Sequence, residues 1–279
     1  WSRGLGDVYK RQVKDCLKVN KVYYILFSVM VLLVACEIKL KPNEELGDVT
    51  SRVEVQRYDR LQSRYLTTGD FSALQQMNIE FPMETRTLVE DVLRLGEVND
   101  PEINSKFLNF YQDTILQSII ADAELQYANM KDINRQFDKA FAKLSKWLPK
   151  VSTPVIYAQI GALDQSIVIG DSSIGVSLDK YLGADYPLYR KYYTPQQRAS
   201  MQRDHIVPDA LCFYILSKYP LQYHDSCNQT ERDTHMGKVM WVVNKVMGKK
   251  VFDTRYVTLT EAYMKKNSKL TAEQLLSQP

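Results

Sequence analysis

The sequence predicts an α+β fold, mostly helical, with a small β-sheet in the middle of the chain. Apolar residues recur at helical spacing on both sides of that middle. Between them, residues 153–179 change to short β-branched runs, "TPVIYAQIG", "QSIVIGD" and "SIGVSLD". Prolines mark the ends of helical patterns at Pro149 and Pro220, because a residue without an N–H cannot continue a helix.

The elements follow in order. "VEVQRYDRLQ", 53–62, alternates apolar and polar residues and reads as a strand entering the sheet, with Tyr58 and Asp59 opening a helical turn. "METRTLVEDVLRLG", 83–96, carries Leu88, Val92 and Leu95 at helical spacing, and Gly96 closes it. From Pro101 to Tyr127 the period continues through Ile103, Phe107, Phe110, Tyr111, Ile115, Ile119 and Ile120. Ile133, Phe137, Phe141, Leu144 and Leu148 make 132–148 another amphipathic helix. Beyond the strands, "PDALCFYILSKYP", 208–220, is a helix with Pro208 at its first position. In 231–248, Met236, Val239, Met240, Val243, Val246 and Met247 line one helical face. The last two helices, 258–267 and 271–278, open on the capping-box pairs Thr258 with Glu261 and Thr271 with Gln274.

The amino-terminal region has a different character. Residues 22–35, "VYYILFSVMVLLVA", hold no charge and follow Lys14, Lys18 and Lys21. A membrane-spanning helix needs about 20 residues, while the apolar part of a signal peptide needs about 7–15. The small Ala35 before Cys36, after Leu33 and Val34, resembles the lipobox of bacterial lipoproteins, in which the cysteine sulfur is acylated and the chain is cut before it. Each buried methylene contributes about 0.8 kcal/mol, so several acyl chains on Cys36 hold a protein to a bilayer. "WSRGLGDVYKRQ", which opens the sequence, resembles translated adaptor sequence and is set apart from fold reasoning. The expected organisation is 1–36 as adaptor-like residues plus lipoprotein signal peptide, 37–52 as a polar tether, and 53–279 as a single α+β domain.

Charge then takes a new meaning. The chain has 36 basic and 33 acidic residues, a net of +3. Six basic and two acidic residues lie in 1–36, so 37–279 carries 30 against 31. That balance gives no support to nucleic-acid binding, which draws on concentrated basic charge. The 18 tyrosines suggest a folded body with amphipathic surfaces. Cys212, within "ALCFYIL", and Cys227 either pair in an oxidising compartment or stay a buried thiol and a loose one.

Catalytic signatures are sparse. His205, His224 and His235 are 19 and 11 residues apart, with no pair inside one helical turn. His235 is followed by Met236, with Val239 four positions on, so H-E-x-x-H is not formed and no metal site is expected. "IGDSSIG" reads as a turn between strands rather than a nucleophile elbow. No phosphate-binding glycine loop occurs, so no nucleotide and no cofactor are expected. The stretch "SLDKYLGADYPLYRKYY", 177–193, has five tyrosines and two aspartates next to a strand-like run. Asp179, Tyr181, Asp185 and Tyr189, with Asp204 further on, make a candidate binding surface, since loops beyond strand ends carry function. Alternatively Leu178 and Leu182 pack, Gly183 turns the chain, and the tyrosines seal a loop over the sheet with their hydroxyls in water.

"LDKYLGADYPLY", "IVPDAL" and "HMGKVMWVVNKVM", in that order, resemble the gliding-motility lipoprotein GldB family of Bacteroidota. "VQRYDRLQ", "WLPKVSTPVIYAQIG" and "YMKKNSKLTAEQLL" extend the resemblance over nearly all of 37–279. It implies a cell-envelope lipoprotein, distantly similar to predicted zinc proteases of zincin-like architecture. In those proteases a helix after the sheet bears H-E-x-x-H; the helix from Glu231 stands in the corresponding place without the motif. Two functions fit. One is a non-catalytic lipoprotein, anchored to the bilayer through Cys36, serving gliding or the related secretion machinery through other envelope proteins. Glu37 after Cys36 favours the outer membrane. The other is a divergent hydrolase of zincin-like ancestry, using Asp179, Asp185, Asp204 or His205 for acid–base work.

Overall fold

The structure is a computed structural model that describes residues 53–221 and 227–278. Cys36, the signal-like run and the tether expected at 37–52 lie outside the described residues. β1 (Val55–Gln56) leads directly into α1 (Tyr58–Thr68) and α2 (Phe71–Glu80). α3 (Pro82–Thr87) runs on into one π-helical turn, Leu88–Val92. α4 (Ile103–Phe110), α5 (Thr114–Gln126) and α6 (Lys131–Trp147) complete the first helical block. The sheet strands β2 (Val155–Gln159), β3 (Ile167–Ile169) and β4 (Ser173–Ser177) follow. After a 3-10 turn at Leu178–Lys180 come the short α7 (Pro187–Tyr192) and α8 (Pro195–Arg198). The second helical block is α9 (Ile206–Lys218), α10 (Gln229–Met247), α11 (Arg255–Lys266) and α12 (Ala272–Leu276). Helices predominate around one small mixed sheet, the α+β class read from the sequence.

The sheet order is β1-β2-β4-β3. β1, β2 and β4 are parallel, and β3 returns antiparallel to β4. The β3–β4 hairpin turns through 170–172, the "GDS" of the "IGDSSIG" turn. Ile156, Tyr157, Ala158 and Gln159 are all buried, as expected of a parallel strand covered on both faces. α1 packs on β2, and α9 on β3 and β4. Gly175 faces Tyr157 across the β2–β4 ladder, where a Cβ would come within 2.5 Å of the tyrosine hydroxyl.

Several sequence expectations shift. The strand entering the sheet is only two residues long, and Tyr58 and Asp59 open α1 as read, with Tyr58 and Leu66 turned into the core. The single helix expected over 101–127 is two. Asp113 caps α5 by accepting from the backbone N–H groups of Ile115 and Leu116, at 2.8 and 3.3 Å. Pro208 is the third residue of α9, still among the four whose N–H has no helical partner. Thr258 caps nothing: α11 starts earlier, with the Thr254 hydroxyl accepting from Val257 N–H at 3.2 Å. The Thr271–Gln274 capping box forms as read. Two unexpected boxes also form, Thr194 with Gln197 at α8 and Asn228 with Glu231 at α10. Cys212 and Cys227 form no disulfide.

Core periodicity was legible in α6, where Ile133, Phe137, Phe141 and Leu144 are buried. α10 behaves differently. Its Val239, Trp241, Val242, Val243 and Val246 are buried around most of its circumference, not along one face. It is a central helix, wedged between α6, α9, α11 and α12. Gly237 allows the closest of these approaches: a Cβ there would lie 2.5 Å from the Tyr256 Cβ and 2.8 Å from its carbonyl carbon. Gly237→Ala therefore forces α10 and α11 apart and destabilises the fold by about 1–3 kcal/mol. Urea unfolding measures this, and a neutral result refutes the tight crossing.

Candidate functional site

Parallel strands aim their carboxyl ends at one edge of the sheet, and in open α/β sheets ligands gather there. β2 and β4 end there at Gln159 and Ser177. The chain leaving β2 passes through Ile160 and Gly161 into a tight turn, where Ala162 and Leu163 both take positive φ, 51° and 64°. Two consecutive left-handed non-glycine residues are costly, about 1–2 kcal/mol each. The chain leaving β4 makes the 3-10 turn that contains Asp179. Asp179 is fully buried, and its carboxylate accepts from Gly161 N–H at 2.8 Å and Leu163 N–H at 2.5 Å. One side chain thus holds the strained turn of the neighbouring strand.

The surroundings complete the pin. Gln62 of α1 brackets Ile160, donating to its carbonyl at 3.2 Å and accepting from its N–H at 2.9 Å. Tyr111 donates to the same carbonyl at 2.7 Å. Tyr189 donates to the Asp179 carbonyl and accepts from Leu182 N–H at 3.1 Å. Tyr127 donates to the Tyr181 carbonyl at 2.6 Å. Lys180 caps the rim, donating to the Leu163 carbonyl and the Tyr193 hydroxyl, each at 3.1 Å. Burial pushes the Asp179 pKa up, while the Gly161 and Leu163 amides pull it back.

The five residues read from the sequence as one surface are therefore divided. Asp179, Tyr181 and Tyr189 have their side chains in the interior, and the Tyr181 and Tyr189 hydroxyls meet protein partners rather than water. Leu178 and Leu182 pack as expected, and Gly183 turns the chain at φ 115°. Asp185 and Asp204 are exposed. Asp185 meets Arg190 at 2.8 Å and Arg198 at 3.9 Å. Asp204 meets the neighbouring His205 ring at 3.1 Å.

Asp209 of α9 escaped the sequence reading. It is half-buried and accepts from Tyr181 O–H at 3.0 Å, and burial raises its pKa to about 6. Its only sequence signal was an acid in the first turn of an otherwise apolar helix. His235 is buried on α10; its Nε2 donates to the Tyr219 carbonyl at 2.8 Å, and its Nδ1 is unpartnered. Burial lowers its pKa, so the ring stays neutral. The Cys212 thiol, against Met236, is pushed up to about 12 by burial and is unreactive at neutral pH. Among the described residues, no three His, Cys, Asp or Glu side chains gather closely enough to hold a metal ion.

Asp179→Ala orphans the buried Gly161 N–H, costing roughly 1–3 kcal/mol, and frees the half-buried Leu163 N–H, whereas Asp185→Ala stays within about 0.5 kcal/mol. Equal denaturation midpoints for the two variants would contradict the pin. For Asp209, the folded state binds its proton more tightly than the unfolded chain. The stabilisation is complete below the unfolded pKa near 4 and is lost as pH rises through about 6. Compared with Asp209→Asn, the native protein should lose stability between about pH 4 and 6 and run parallel above 7. Melting curves across that range check the sign.

The family described as gliding motility protein GldB matches residues 39–256, well over half of the chain. No curated protein and no solved structure matches it. The match runs from before β1 to the first turn of α11 and so takes in the sheet, the Asp179 pin and α10. This chain belongs to the GldB gliding-motility lipoprotein family.

Proposed function

We propose that the protein is a non-catalytic lipoprotein of the cell envelope, held at the outer membrane by acyl chains on Cys36. It serves gliding or the related secretion machinery through contacts with other envelope proteins. The observation that carries this reading is the family match, which begins at residue 39, three positions after Cys36. The charged flank, the short apolar run and the small residue before Cys36 supply the lipid anchor in the right order. No described helix is long and apolar enough to cross a membrane, which is compatible with a body tethered by lipid.

The side chains available for acid–base work support the non-catalytic reading. The Asp179 carboxylate is engaged by two backbone amides, Asp185 by two arginines, and His205 by Asp204. The position that a zinc-binding helix would fill carries His235, Met236 and Val239, with His235 engaged by a backbone carbonyl.

The anchor is tested in cells. Mass spectrometry of the purified protein should find Cys36 as the first residue, carrying acyl chains. Cys36→Ser should abolish both the acyl chains and the cut before residue 36, leaving a longer chain whose folded body survives. Unacylated native protein, or a Cys36→Ser variant still cut before residue 36, defeats the proposal.

A further inference from the structure

Two adjoining cavities, of about 480 and 640 Å³, share Trp241 of α10 and Glu261 of α11 in their walls and together make one groove. Both fall in the size range of ligand sites, roughly 300–1,000 Å³. Trp241 donates its indole N–H to Glu261, which also takes Lys245 at 2.8 Å and Lys265 at 3.8 Å. Trp147, at the end of α6, meets Trp241 edge-on with ring centroids 5.9 Å apart. Val257, Met264 and Leu270 supply apolar wall. The groove joins α6 and α10 to α11 and α12, which lie almost wholly past residue 256, where the family match ends.

Its charges are unbalanced. Glu261 and Glu273 already have lysine partners, Glu273 meeting Lys150 at 2.5 Å, and Lys250 is taken by Asp253 at 2.7 Å. Lys146 and Lys249 line the groove with no ion pair among the described residues. Lys143 reaches the same place from α6: its Nζ is 3.5 Å from where a Cβ on Gly248 would sit, and it too has no ion pair there. An apolar floor with an unpaired cationic rim is complementary to a ligand with apolar groups flanked by anionic ones.

We propose that this groove docks an acidic, amphipathic segment of a partner protein, with its apolar side chains on the Val257–Met264–Leu270 wall and its carboxylates on Lys143, Lys146 and Lys249. The inference rests on the reading that the protein works through envelope protein contacts. The shape and the aromatics select the occupant. Trp241 is only 5% exposed and its ring carries Lys245 at 5.2 Å, so it offers no open face for a sugar to stack on and no wedge for an acyl layer. The lysines also border a hollow, not the flat or convex face that a membrane surface meets.

The test places the photo-crosslinker p-benzoylphenylalanine at Thr258, which lines the groove, and separately at the exposed Glu102 ahead of α4, in the full chain in its native envelope. The expected result is a protein adduct at Thr258 whose mapped peptide combines Asp or Glu with apolar residues. The adduct should fall about tenfold when Lys143→Glu, Lys146→Glu and Lys249→Glu are combined, with the melting curve unchanged. An adduct at Glu102 and none at Thr258 overturns the groove while leaving the protein-contact reading intact. No protein adduct at either position overturns both. A lipid or glycan adduct at Thr258, an adduct to the chain's own acidic stretch at 44–48, or an adduct indifferent to the lysine reversals overturns the acidic partner segment.

Discussion

Two backbone amides on one buried carboxylate hold the end of this sheet together. Asp179 follows β4, and its two donors follow β2. The strands are parallel, so no hairpin connects those two ends; the polypeptide reaches from one to the other only through β3. The two amide bonds to Asp179 offset the conformational cost of the left-handed pair Ala162 and Leu163, and Lys180 on the Leu163 carbonyl adds to them. Among the described residues the sheet has four strands, one of them two residues long, so a local tie of this kind carries weight that a larger sheet would spread over its ladder.

Tyrosine extends the same logic through the interior. Tyr58, Tyr65, Tyr111, Tyr127, Tyr181, Tyr189 and Tyr214 are each almost wholly buried. Five of these hydroxyls donate to main-chain carbonyls, those of Asn104, Ile160, Tyr181, Asp179 and Ser152. Tyr58 donates to Thr85, and Tyr181 to Asp209. Each ring fills core volume while its tip is hydrogen-bonded; the acceptors at Ser152, Ile160, Asp179 and Tyr181 lie in loops or turns, and those at Thr85, Asn104 and Asp209 lie in helices. The result is a strand end occupied by the protein's own chain, in the place where many α/β proteins admit a ligand. Cavities open around the carboxyl-terminal helices.

The sheet end is closed by Asp179 and its tyrosines, while lysines with no ion pair among the described residues collect where α6, α10, α11 and α12 meet. The buried Asp179 carboxylate serves the architecture, and the open cationic surface lies on other elements.

The sequence by itself determined the class of fold, the β-branched middle, the period of α6, the Thr271 cap and the family, through blocks such as "LDKYLGADYPLY". These are local properties, set by spacing of three or four residues, by proline and by short-range caps. Only the tertiary structure decided that Asp179, Tyr181 and Tyr189 face inward while Asp185 and Asp204 face water, since alternating Asp and Tyr in a loop carry no period that separates inside from outside. It also decided the break at Asp113, where Tyr111 turns to meet Ile160 across 49 residues of sequence. Lys143, Lys146 and Lys249 are drawn to one groove for the same reason. Their meeting depends on how α6 packs against α10, and contacts between distant segments leave no mark on the local pattern of either.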